Sequence, residues 1–432
     1  METELTKIAR IAKEKPKEKM QSLAGMINKE TLGKAHKEMS TKKATGVDQV
    51  TKDDYDANLS DNLDGLVERM KRQAYKPQPV KRVYIPKAGS EKMRPLGIPA
   101  YEDKLVQKVL SNILNAVFEQ DFLDCSYGFR PNRNCHDALQ NLNTIIRDNN
   151  VNFIVDADIK GFFDTMSHDW IMEFVRHRIA DKNIERLIAR FLKSGTVENG
   201  EYRETDVGAP QGGNISPILG NLYLHHVLDL WFEIKFKKTC KGEAYMVRYA
   251  DDSVFCFQYQ DEANRFYEEM KIRLGKFNLE IQEDKTKIIR FGRWAKTDCG
   301  KDGMKKPETF DFLGFTHYCG TNTRGQFKVK RKTSKKKFRV TMMKMKKWLR
   351  SNLTTPAKQV MKDLKIKMSG YLRHYSITDN WKMVKYYIYE VRRMLYKMFN
   401  RRSQKKSMDW SKYAKFLLKY PLVTPKIYVI FY

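Results

Sequence analysis

Cysteine is scarce in this chain, and its placement rules out most of what cysteine does: Cys125, Cys135, Cys240, Cys256, Cys299 and Cys319 are scattered singly through 432 residues. With no Cys-x-x-Cys pair and no histidine at finger spacing, structural zinc is not expected, and a reducing cytoplasm fits the scattered cysteines better than a disulfide framework. No apolar run is long enough to span a bilayer and neither end carries a lipidation signal, so no membrane partner is expected. The N-terminus alternates Lys13, Glu14, Lys15, Lys17, Glu18 and Lys19 without an apolar core, unlike a secretory signal. Acids are short as well, 52 against 82 Lys and Arg, which leaves a formal net charge of +30. Such an excess favours a long polyanion, nucleic acid above all. The hydrophobic fraction of 41% and aromatic fraction of 12% are nevertheless enough to bury cores. The length calls for two or three domains.

What is present centres on Arg248-Tyr249-Ala250-Asp251-Asp252-Ser253, where adjacent carboxylates sit between two runs rich in Val, Tyr and Phe. The runs predict a tight hairpin with the acids at its bend. Like charges so close raise each other's pKa unless a metal or cationic partner compensates. Asp is common in turns, however, so a bare pair is more often an ordinary turn than a site.

The rest of the chain bears on that choice. Residues 1 to about 60 read as a basic, mostly helical appendage, broken at Thr45-Gly46-Val47-Asp48, with Asp48 or Thr51 capping the next segment. Val80 to Pro86 alternates as an exposed strand, and a hairpin follows whose returning side is Lys92 to Pro99. That hairpin sets Lys87 and Arg94 on either side of a turn, either as solvated charges or as a clamp on triphosphate oxygens. A one-faced helix runs from Leu105 to Phe118, then a loop, Ser126 to Arg133, in which Arg130 and Arg133 interleave with aromatics as base stacking and phosphate contact require. Phe153 to Ile159 is an apolar strand carrying Asp156 and Asp158 on one face, of which Asp158 lies nearer the end open to metal or solvent. Phe163 reads first as core. Val207 to Pro217 is a glycine-rich loop entering an apolar helix, about 218–236, whose N-terminus could take phosphate. His225 and His226 within it read as packing or surface residues. Beyond a helix over about 262–277, Phe310 to Phe315 predicts a short strand with central Gly314. The basic run from Lys328 to Arg339 then leads into helices near 338–352, 357–375 and 381–399, an arrangement suited to gripping nucleic acid.

A strand acid (Asp158), a Pro-Gln-Gly-Gly loop (Gln211) and a Tyr-x-Asp-Asp hairpin (Asp251, Asp252), in that order, resemble the motifs of reverse transcriptases. Ile85-Pro86-Lys87, Arg94-Pro95-Leu96-Gly97-Ile98-Pro99, Ser126-Tyr127-Gly128-Phe129-Arg130-Pro131, Gly161-Phe162-Phe163-Asp164 and Phe312-Leu313-Gly314-Phe315 resemble those of bacterial group II intron-encoded proteins, a likeness running from about Lys42 to Tyr375. The resemblance implies an α+β right-hand polymerase with fingers, a palm built on an antiparallel sheet, and a helical thumb. Its parts would be an N-terminal extension and start of fingers over 1–66, fingers and palm over 67–315, and a thumb or maturase domain with a short basic tail over 316–432. It implies two Mg²⁺ ions, with Mn²⁺ as a substitute, held by Asp158, Asp251 and Asp252. Lys87, Arg94, Phe163 and Gln211 would bind the dNTP, with Phe163 excluding a 2′ hydroxyl. Arg130, Arg133, Leu313, Gly314 and Phe315 would meet primer and template, and Lys285 or Lys287 would supply a proton to leaving pyrophosphate. The implied partners are group II intron RNA as template, a DNA primer or target, and dNTPs. No Cys/His-rich segment comes after the thumb residues, so DNA cleavage by this chain is not expected. Ser369 to Tyr375 keeps the family's thumb pattern only in part, which weakens a splicing role more than the polymerase role. The alternatives are an RNA-binding maturase with little polymerase activity, against which the intact acids argue, and a reverse transcriptase recruited to host defence or DNA repair.

Overall fold

The Val, Tyr and Phe runs around Ala250 pair as adjacent antiparallel strands in a computed structural model that describes residues 3–86, 93–402 and 408–431. Eleven strands occur among the described residues: β1 Val80–Pro86, β2 Met93–Ile98, β3 Phe153–Asp158, β4 Thr196–Glu198, β5 Glu201–Arg203, β6 Ala244–Tyr249, β7 Asp252–Phe257, β8 Lys287–Arg290, β9 Phe310–Phe312, β10 Phe315–Thr321 and β11 Phe327–Thr333. They form three sheets, ordered β2-β1-β4-β5, β6-β7-β3-β8 and β11-β10-β9. Mixed with helices and largely antiparallel, this is an α+β fold. No helix among the described residues is long and apolar enough to cross a membrane.

The chain divides into two compact units. One comprises residues up to 86, 92–138 and 153–288; the other comprises 139–152 and 289 onward. In the first, β3 and β6 flank β7, and Val155, Phe255 and Phe257 turn into a core shared with Phe232, Phe236 and Phe266. Phe255 and Phe266 approach to 4.3 Å between ring centroids, a tilted contact that aromatic quadrupoles favour. The helix Tyr101–Phe118 buries most of its length, as the apolar spacing from Leu105 requires. Asp48 caps its first turn by accepting from Tyr101 N–H at 2.7 Å, and Gly46 lies against the backbone of Pro99 and Ala100 where a side chain would not fit.

The apolar helix expected over 218–236 is present but irregular. It starts as an α-helix, Ser216–Leu224, and widens into π-helical turns over His225–Asp229 and Trp231–Phe236. His225 is buried, and burial pushes its pKa down to about 3, so it is a neutral packing residue.

In the second unit, residues 310–315 are not one strand. Phe312 and Phe315 pair across a two-residue turn in which Leu313 (φ 50°) and Gly314 (φ 87°) both take left-handed backbone, as a type I′ hairpin turn demands. Three basic helices come next, Lys335–Ser351, Ala357–Tyr375 and Trp381–Asn400, packed through Leu349, Leu364, Leu372, Val384 and Val391.

Candidate active site

The register of β3 on β7 sets Asp158 directly opposite Asp252, and β6 on β7 sets Tyr249 opposite Asp252. Two residues, Ala250 and Asp251, close the hairpin, with Ala250 at φ 58° as primed turns require of their first central residue. Asp158, Asp251 and Asp252 are all half-buried, and paired positions across a sheet point to one face. Carboxylates directly opposite one another repel, so the arrangement needs positive charge. Part of it comes from the Lys285 ammonium, which is ion-paired to Asp158. The all-carboxylate donor set makes the face chemically suited to hard divalent ions, which would take over the role this cation fills at Asp158.

Close behind the turn lies a wall of backbone. Gly128 sits so near Ala250 that a β-carbon there would overlap the Ala250 nitrogen. Tyr127 N–H donates to Arg248 O, and Arg248 N–H to Cys125 O, both at 2.8 Å.

A cleft is lined by Arg82, Pro95, Gly97, Phe163, Asp164, Gln211 and neighbouring loop residues. Phe163, half-buried, enters from the short helix Phe162–Thr165 that begins after Gly161, itself at φ 58°. Its ring needs Gly220: a β-carbon there would lie 3.0 Å from Phe163 Cε1. The loop opposite is fixed by Gly97 N–H donating to Gln211 O at 2.6 Å and by Ala209 N–H donating to Phe163 O at 2.8 Å. Gln211 Nε2 lies 3.5 Å from Asp164 Oδ2. Desolvation holds the Asp164 carboxyl above the ordinary aspartate range, against the pull of Arg82, the Gln211 hydrogen bond and Arg94.

Phe163 and Gln211 thus share one cleft, but the other expected contacts divide. Arg94 pairs with Ile85, so strand alternation starts its side chain on the face opposite to Arg82, Pro95 and Gly97, yet its charge still reaches Asp164 in the cleft. The arginine lining the cleft is Arg82, which strand alternation combined with the hairpin register could have found. Lys87 lies outside the described residues. At the start of the helix Ser216–Leu224, Ile215 and Ser216 are buried, and Ser216 Oγ donates to Pro210 O at 2.8 Å.

Two expectations for primer and template, Arg130 and Phe315, need correction, and a third, Arg133, is engaged within its own loop. Arg130 is only 3% exposed in its side chain. It donates to Glu119 and to the carbonyls of Phe122, Leu123 and Ser126, so it pins its loop from within. Arg133 is partly exposed but tied to Asp124 and stacked 5.4 Å from the Tyr127 ring centroid. The large exposed aromatic of this loop is Phe129, held at φ 58°. In the second unit, Phe315 is fully buried beside the rings of His374 and Tyr375, which leaves Leu313 and Gly314 as the half-buried tip of their hairpin.

A family profile described as reverse transcriptase (RNA-dependent DNA polymerase) matches residues 85–317. The chain is 39% identical over 204 residues to the group II intron-encoded protein LtrA of Lactococcus lactis subsp. cremoris, covering 47% of this chain and 34% of that one. It is 34% identical over 275 residues to protein YkfC of Escherichia coli K12, covering 56% and 71% respectively. An uncharacterized 91 kDa protein in the cob intron of Schizosaccharomyces pombe is 35% identical over 190 residues, with 44% and 23% covered. The chain therefore spans about a third of the length of its Lactococcus relative.

Proposed function

The chain belongs to the reverse transcriptase family, and from that premise we propose that it is an RNA-directed DNA polymerase of a group II intron, which extends a primer with dNTPs on an RNA template and binds its intron RNA to assist splicing and mobility. The observation that carries the reading is the register placing Asp158 opposite Asp252 beside a hairpin that ends in Asp251.

Asp158, Asp251 and Asp252 are the residues to hold two Mg²⁺ ions, or Mn²⁺ in their place. When bound, such ions lower the pKa of the primer 3′ hydroxyl and offset charge on the triphosphate. Lys285 serves as the counter-ion of Asp158 until then; once displaced it is an ammonium beside the site, able to give a proton to the leaving pyrophosphate. In the cleft, Arg82 supplies charge for triphosphate oxygens with Arg94 at the strand's exposed end, and Gln211 contacts the incoming nucleotide. The Phe163 ring fills the space a 2′ hydroxyl would need, which selects deoxynucleotides. Phe129 offers a stacking face for a base, and the Leu313–Gly314 turn a support for the primer strand.

The test is primer extension on an RNA template with dNTPs and Mg²⁺. Asp251→Ala should lower turnover by at least roughly a hundredfold while leaving RNA affinity unchanged. Full activity in that variant would sink the proposal.

A further inference from the structure

We propose that Arg248, Asp229 and Asn221 form the positioning device that sets the Asp251 and Asp252 carboxylates, and through them the affinity for divalent cation. This rests on the polymerase reading above and assigns roles to three residues that do not themselves face the metals.

Arg248 lies in β6, two residues before the Ala250 turn, yet it is wholly buried, as is its partner Asp229. A buried ion pair is no thermodynamic advantage over well-packed apolar side chains, so its use has to be sought in what it orients. The guanidinium spends its fork on three targets. Nε and Nη2 donate to the two Asp229 oxygens at 2.7 and 2.5 Å, and Nη1 donates to Asn221 Oδ1 at 3.2 Å and to the Ala250 carbonyl at 2.9 Å. The last bond fixes the peptide leading into Asp251, at a residue whose positive φ costs a non-glycine side chain and so needs outside support.

Asn221 completes the device by donating through Nδ2 to Gly128 O at 2.7 Å. Gly128 is the residue whose bare backbone lies against Ala250. One amide therefore joins the guanidinium behind the turn to the wall beside it. Asp229 comes from the first π-helical segment, where the widened turn carries it into the core. Loss of any member leaves the carboxylates in place chemically but lets the hairpin tip shift. Mg²⁺, which demands near-ideal octahedral geometry, is sensitive to such a shift.

The experiment uses the full chain as wild type, Asn221→Ala and Arg248→Lys. Mn²⁺ binding is followed by electron paramagnetic resonance of the free ion without nucleotide, and primer extension is titrated with Mg²⁺. Lysine keeps the charge facing Asp229 but lacks the fork that reaches three partners. The expected result is a roughly tenfold weaker Mn²⁺ affinity in either variant, as for other residues that orient metal ligands. The Mg²⁺ needed for half-maximal extension should rise to match, with turnover recovered at high Mg²⁺ and the KM for dNTP little changed. A folded variant with wild-type Mn²⁺ affinity and Mg²⁺ dependence overturns the inference, and so does loss of fold in both variants, which would assign the trio to stability alone. Wild-type protein that neither binds Mn²⁺ nor extends a primer would instead fail the polymerase reading itself.

Discussion

Under the polymerase reading, the choice of sugar falls to one ring. Phe163 is held from behind by Gly220, which has no side chain to displace it, and from the side by Phe162 at 5.0 Å between centroids. Its forward edge borders the cleft lined by Arg82 and Gln211. Phe163→Ala should therefore open room for a 2′ hydroxyl, and the ratio of kcat/KM for dCTP over CTP should fall by roughly tenfold or more, the scale on which pocket shape discriminates. An unchanged ratio in steady-state kinetics ends the sugar-gate role. Phe163 was legible because its sequence surroundings resemble a known motif. Arg130 was misread because a loop arginine next to aromatics looks the same in sequence whether its donors face a phosphate or the carbonyls of Phe122, Leu123 and Ser126. Burial is what separates the two cases, and it depends on how the loop closes over Glu119.

Among the elements, the strands and the long helices were readable because their periodicity is local: β1 falls on Val80–Pro86 and a basic helix on Ala357–Tyr375, as expected. What was not readable depended on backbone sign. Nothing in Phe312-Leu313-Gly314-Phe315 distinguishes a strand with a glycine from a hairpin with two positive φ values until β10 finds β9. The helix Tyr101–Phe118 holds a further non-local feature. Its Asp103 is buried and accepts from Tyr75 Oη and from Gln78 N–H, tying the chain that leads into β1 to the helix. Desolvation pushes the Asp103 pKa up to about 7, against the pull of those two hydrogen bonds. Because the folded value lies above the unfolded one, the native state binds the extra proton between about pH 4 and pH 7, and stability falls as pH rises through that window. At about 1.4 kcal/mol per pKa unit the loss has an upper bound of about 4 kcal/mol. Asp103→Asn stays neutral throughout. Urea unfolding at pH 5 and pH 8 should thus show wild type losing at least about 1 kcal/mol relative to the variant. A pH-independent difference would mean that Asp103 does not change protonation in that range.

For the molecule as a whole, the formal net charge of +30 predicts partners only if its cations are free to meet them. Many are engaged internally: Arg248 with Asp229, Arg331 and Lys328 with Asp379, Arg178 with Asp121. The helix Lys335–Ser351 is different. Val340, Met345 and Leu349 turn inward, while Lys335, Lys336, Lys337, Arg339, Lys344, Lys346, Lys347 and Arg350 are exposed. Such a face releases counterions when it meets a nucleic-acid backbone, so log Kd for RNA should change linearly with log salt, with a slope of about 0.7 for each phosphate neutralised on a single strand. Replacing Lys335, Lys336 and Lys337 together by Gln should reduce that slope by up to about 2 if all three meet phosphates. The helix should remain intact, because none of the three is buried and Gln is a good helix former. Filter binding between low and moderate KCl measures both slopes. A flat wild-type dependence would show that the charge excess is not used on RNA, and an unchanged slope in the triple variant would move the RNA-binding face away from this helix.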